Sequence, residues 1–168
     1  MMAKSAALIG MVMVIMASPA SAHGNKHEMG SGQPGEPAQV SRTITVDMYD
    51  NYYDPEKLAV EPGETVKFVV ENKGQLVHEF NIGTPAMHQA HQKEMMTMMS
   101  QGVLEGSQIN HHKMKMSGMT HEDPNSVLLE PGQSKTIIWT FNNNRNIEFA
   151  CNVPGHYQAG MHGDVSFK

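Results

Sequence analysis

Residues 58–71 read Leu-Ala-Val-Glu-Pro-Gly-Glu-Thr-Val-Lys-Phe-Val-Val-Glu, and residues 126–141 read Ser-Val-Leu-Leu-Glu-Pro-Gly-Gln-Ser-Lys-Thr-Ile-Ile-Trp-Thr-Phe. Both stretches share one plan: a short apolar run, a Glu-Pro-Gly turn, then a longer run rich in β-branched and aromatic residues. Each reads as strand, tight turn, strand. On the N-terminal side, Thr43 to Met48 alternates like a half-buried strand, and Asp50-Asn51 and Asp54-Pro55 break the chain before Leu58. Gly74 marks a turn before a short strand from Val77 to Ile82. Asn142-Asn143-Asn144 turns the chain into Asn146 to Cys151, and Asp164 to Phe167 closes it. Short strands, Pro-Gly turns and few helical patterns predict an all-β, Greek-key β-sandwich. Phe68, Phe80, Trp139, Phe141 and Phe149 are the expected aromatic core.

The N-terminus bounds the compartment. Lys4 is a positive n-region, Ala6 to Met16 an apolar run, and Ala20-Ser21-Ala22 a small-residue cleavage site. That layout predicts a secretory signal peptide over residues 1–22, and the apolar run is short for a bilayer span. Residues 23–41 are rich in Gly, Pro and polar residues and are expected to form a flexible, His-containing arm. A single domain, residues 42–168, should come next, with an insertion at 84–125. The expected location is the periplasm, with no membrane insertion after cleavage. Losing Lys4 takes the net charge from −5 to −6, and no basic cluster remains, so nucleic acid is not an expected partner.

Cys151 is the single cysteine of the chain. In an exported protein a lone cysteine is a reactive thiol, half of an intermolecular bridge, or a thiolate held by a metal. Its surroundings favour the third. Residues 149–163 read Phe-Ala-Cys-Asn-Val-Pro-Gly-His-Tyr-Gln-Ala-Gly-Met-His-Gly, which is Cys-x4-His-x4-Met with Pro-Gly bending the chain between Cys151 and His156. A thiolate and two imidazoles in a trigonal plane, with a weak axial thioether, suit both Cu(I) and Cu(II). Met161 is the axial candidate. The second imidazole must come from elsewhere, and His78 stands at the start of a strand within the predicted sandwich. One redox-active copper ion at His78, Cys151, His156 and Met161 is the expected cofactor. Structural zinc sites use more Cys or His and no thioether.

These motifs resemble the cupredoxin (type 1 copper protein) family of plastocyanin, azurin and rusticyanin, from about Ile44 to Lys168. The Cys-x4-His-x4-Met spacing is most similar to rusticyanin-like members, and Asp54 to Val66 resembles the family's opening strands. The His-Glu-Phe at residues 78–80, the Met/His-rich insertion and the run from Phe149 to Tyr157 resemble the periplasmic copper-tolerance cupredoxins of the CopI type. The resemblance implies the same four ligands. Glu79 departs from the Asn or Ser that often follows the first His, which leaves the hydrogen bonding, colour and potential of the site open.

The insertion carries further donors. Residues 86–101 contain Met87, His88, His91, Met95, Met96, Met98 and Met99, with no Leu, Ile, Val or Phe. As a helix, Met87, His91, Met95 and Met98 would line one face. Met packs well into irregular gaps, yet a Met/His stripe also suits Cu(I). His111, His112, Met114, Met116, Met119 and His121 repeat the chemistry, and the arm adds His23 and His27. All are candidates for additional, weakly held copper.

Two functions fit. One is copper handling in tolerance or homeostasis, with a redox or copper-export protein as partner. The other is a one-electron shuttle docking on a respiratory or oxidase partner. An enzyme is not expected, because the His-x-His and His-Cys-His signals of a second copper centre are absent from the sequence. The chain is expected to be a monomer.

Overall fold

The computed structural model describes residues 30–119, 121–143 and 146–168. The predicted signal peptide, His23 and His27 lie outside the described residues.

Strands β1 (Gly32–Pro34), β2 (Arg42–Tyr49), β3 (Tyr52–Asp54), β4 (Leu58–Val60), β5 (Thr65–Asn72) and β6 (His78–Gly83) occupy the first half. The insertion forms α1 (Pro85–Ser100), β7 (Leu104–Glu105), β8 (Gln108–Ile109) and α2 (His111–Ser117). Strands β9 (Ser126–Leu129), β10 (Ser134–Phe141), β11 (Ile147–Ala150) and β12 (His162–Phe167) complete the chain. Two five-stranded sheets result, in the orders β1-β10-β5-β2-β3 and β4-β12-β11-β6-β9. The all-β sandwich expected from the strand pattern is what forms.

Period-two patterning builds the interior. In β5, Val66, Phe68 and Val70 are buried while Lys67 and Val69 are half-exposed; in β10, Ile137, Trp139 and Phe141 point inward. Aromatic rings join the two sheets: Phe68 lies 5.4 Å from Phe80, and Tyr53 lies 5.1 Å from Phe149, edge-on. At the two Pro-Gly turns, Gly63 and Gly132 take φ of 79° and 76°, a region open to glycine at no steric cost.

Two features depart from or refine the sequence reading. Residues 30–41, expected as part of a flexible arm, are ordered: β1 adds to the edge of the first sheet, Gly32 opposite Phe141. Trp139 Nε1 donates to Ser31 O at 3.3 Å, and a Cβ at Gly32 would collide with Thr140 O. Backbone pairing and one indole hold this edge, so no apolar periodicity announces it. The second feature is β6, buried along its whole length. Phe80 and Ile82 face the core, and α1 packs over the other face of β6 and β11. The insertion is thus a cover on the second sheet. Thr84 caps α1 by accepting from Met87 N, and Pro85 starts its first turn.

Candidate metal centre

His78 opens β6, Cys151 comes directly after β11, and His156 and Met161 lie on the loop from Cys151 to β12. Because β6 and β11 pair directly, residues far apart in sequence meet at one end of the sandwich. His78 Nδ1 and His156 Nδ1 are 3.2 Å apart; Cys151 Sγ is 3.3 Å from His156 Nδ1 and 4.0 Å from His78 Nδ1. Metal–nitrogen bonds of about 2.0 Å and a metal–sulfur bond of about 2.3 Å in a trigonal plane give donor separations of roughly 3.5 and 3.7 Å. The two sulfur–nitrogen distances fall on either side of the second value, and the nitrogen–nitrogen distance of 3.2 Å is slightly shorter than the first.

The loop is closed by its own backbone. Cys151 N donates to Met161 O and Met161 N to His156 O, both at 3.0 Å, so Met161 is tied to two members of the triangle and fully buried. His156 N donates to Val153 O across the Pro-Gly bend. His78 is oriented from behind: its Nε2 donates to Asp50 Oδ1 at 2.8 Å, leaving Nδ1 to face Cys151. A Cβ at Gly74 would stand 2.5 Å from Asp50 Oδ1 and 2.8 Å from His78 Nε2, so a glycine lets the loop pass over that pair.

The electrostatics suit a cation. Burial lowers the pKa of His78, only partly offset by Asp50. Burial, then the neighbouring His78, lowers that of His156 to about 4. Both rings are therefore neutral near pH 7, with ring-nitrogen lone pairs available. Burial pushes the Cys151 thiol far up, although the Glu79 and Val153 amides oppose the shift. A thiol so placed ionises when a metal supplies the missing positive charge. Buried thiol sulfur, two neutral imidazoles and a buried thioether fit copper as a donor set.

Glu79 has its carboxylate fully buried beneath the insertion. Its Oε1 accepts from His121 Nε2 at 2.6 Å, Ser126 Oγ at 2.7 Å and His91 Nε2 at 2.9 Å. Its Oε2 accepts from the backbone and side-chain nitrogens of Asn152 at 3.1 and 2.8 Å, and its own N–H donates to Cys151 Sγ at 3.3 Å. Burial would raise its pKa, but His91 and His121 outweigh burial and hold it well below the usual carboxylate range.

The other predicted donors divide. His91 and His121 are brought together, their Nε2 atoms 3.3 Å apart. His88 is buried against Asn152 Nδ2 and the Glu148 carbonyl. Met95 and Met98 belong to the apolar core with Val103, Leu104 and Ile109, and Met114 and Met119 pack against it. Met87 Sδ accepts from Thr84 N at the helix start. Met96, Met99 and Met116 are exposed, as are His111 and His112. Asp50 and Asn152 are functional neighbours that the sequence does not single out. In sequence Asp50 is turn punctuation, and its place two residues before β3 carries no metal signature of its own.

This fold and donor set define a class. A family described as copper binding proteins, plastocyanin/azurin family, matches residues 40–168, and the chain belongs to it. Among its relatives, a copper-resistant cuproprotein CopI of Pseudomonas aeruginosa is 44% identical, covering 95% of this chain and 92% of that protein. The CopI of Rubrivivax gelatinosus is 38% identical over 87% of this chain and 78% of its own length. Solved auracyanin structures share the fold: one from Roseiflexus castenholzii superposes with a TM-score of 0.56 at 20% identity, over 77% of this chain and 98% of that one.

Proposed function

We propose that this chain is a periplasmic cupredoxin that holds one redox-active type 1 copper through His78, Cys151, His156 and Met161 and serves copper tolerance. The observation that carries the reading is the convergence of the chain's single thiol with two neutral imidazole nitrogens, all within 4.0 Å of one another. Copper bound there supplies one-electron exchange between Cu(I) and Cu(II). The chain's own part is to hold the donors still. Asp50 fixes His78, the Pro-Gly bend fixes His156, and the Cys151–Met161 backbone bond closes the loop. The Glu79 amide steadies the thiolate. A pre-set cage spares the protein rearrangement when an electron moves. Support for tolerance comes from the CopI relatives, which are named for copper resistance.

A pure electron shuttle is the second reading, and one feature favours it: His156 is half-exposed and offers an edge for electron exit. Copper counting with genetics separates the two. Tolerance is expected to show copper sensitivity in a null strain and more than one copper per chain. One copper and a respiratory defect without copper sensitivity would establish the shuttle instead. In either case Cys151→Ala is expected to abolish the intense thiolate-to-copper absorption while the sandwich still folds.

A further inference from the structure

The geometry points to a second metal site, formed by Glu79, His91 and His121 and selective for a divalent cation of the Zn(II) or Cu(II) kind. It lies under the insertion and shares no donor with the His78–Cys151–His156 triangle, so it goes beyond the function proposed above.

Three donor atoms converge from three separate elements. Glu79 projects from the outer face of β6, His91 from α1, and His121 from the segment between α2 and β9. Glu79 Oε1 lies 2.9 Å from His91 Nε2 and 2.6 Å from His121 Nε2, and the two nitrogens are 3.3 Å apart. With bonds of about 2.0–2.1 Å to nitrogen and oxygen, donors around a tetrahedral cation stand roughly 3.3 Å apart. The two imidazoles already have that spacing, and Oε1 needs to draw back by about 0.7 Å to match it.

The hydrogen bonding is crowded in a way that a cation relieves. Oε1 takes His91, His121 and Ser126 together, with Asn81 Nδ2 at 3.4 Å, more donors than an oxygen with two lone pairs accommodates. A metal ion would replace two of these contacts with one. His121 has little else to hold it: its Nδ1 is buried without a hydrogen-bond partner among the described residues. His91, by contrast, is braced from behind, Nδ1 to Glu94 Oε2 at 3.0 Å, the arrangement that orients a ligating imidazole. The His91 side chain keeps 14% of its surface exposed, which leaves a route in from solvent. The donor class sets the preference. An anionic carboxylate and two imidazoles suit borderline divalent ions, and no thioether is among the converging atoms to favour Cu(I).

The test uses the mature chain already loaded with one equivalent of copper, titrated with Co(II) as an optical probe and with Zn(II) by calorimetry. One further equivalent is expected, with weak cobalt d–d bands and no cobalt–thiolate absorption. Glu79→Gln and His91→Gln, each checked for fold by circular dichroism, are expected to lower Zn(II) affinity about 100-fold or more, since even outer partners of a ligand cost 10–100-fold. Cu(II) competition then ranks the two ions. Unchanged affinity in both folded variants, or no binding beyond the first equivalent, would overturn the site and leave Glu79 as the anchor of an ion pair alone. Intense cobalt–thiolate absorption would instead mean that Cys151 is open to the probe, which counts against the copper assignment and leaves the Glu79 variants to decide the second site.

Discussion

Glu79 is the residue on which both centres turn, and its charge is maintained by His91. Burial alone would lower the pKa of His91, but the Glu79 carboxylate, with Glu94 behind it, raises it to about 9. A base whose folded pKa exceeds its ordinary 6.5 stabilises the fold fully below that value and loses the contribution as pH climbs through about 9. The metal-free chain is therefore expected to weaken between pH 6.5 and 9, as read by urea unfolding. Glu79→Gln should flatten that slope and lower the His91 NMR midpoint clearly from about 9, leaving Glu94 alone to oppose burial. A midpoint that stays near 9 would show that Glu79 does not hold the proton. At the proposed copper ligands, Met161→Leu is expected to leave copper bound and raise the potential, because an axial thioether tunes the site more than it anchors it. Voltammetry giving an unchanged potential would refute an axial Met161. The four ligand candidates are legible in the sequence because local spacing betrays three of them and a strand-opening His the fourth. Asp50 and Asn152 are not: their work is to orient other side chains, and only pairing of β6 with β11 and the turn before β3 brings them into place.

In the insertion, α1 shows where composition misleads. A stripe of Met and His without aliphatic residues invites a metal-capture reading, and its periodicity does forecast the helix. Yet Met95 and Met98 are buried with aliphatic side chains supplied from beyond the helix, Val103, Leu104 and Ile109. A helical pattern cannot show this, since those partners belong to other elements. Met95→Ala is expected to cost about 2–5 kcal/mol, the usual range for emptying a core position. Exposed Met96→Ala should stay within about 0.5 kcal/mol. Equal, small losses by chemical denaturation would show that Met95 is not a packing residue. The same logic explains β6. Its unbroken burial comes from α1 lying over the second sheet, so Glu79 becomes an interior group although it points away from the sandwich core.

For the molecule as a whole, the strand plan is largely readable in advance: two strand–Pro-Gly–strand units, alternating β5 and β10, and a closing strand. What the sequence lacks is any sign of the edge strand β1, held by backbone pairing, or of the insertion's role as a cover. The assembled sandwich gathers one sulfur and two imidazoles at one end and a carboxylate–imidazole cluster beside it, joined through Glu79 N–H to Cys151 Sγ. Everything functional rests on the first of these being a copper–thiolate centre. Copper K-edge X-ray absorption on the mature chain carrying one copper tests that directly. The expected spectrum contains one short sulfur scatterer and two imidazoles, with the sulfur lost in Cys151→Ala; a first shell of nitrogen and oxygen alone would contradict it.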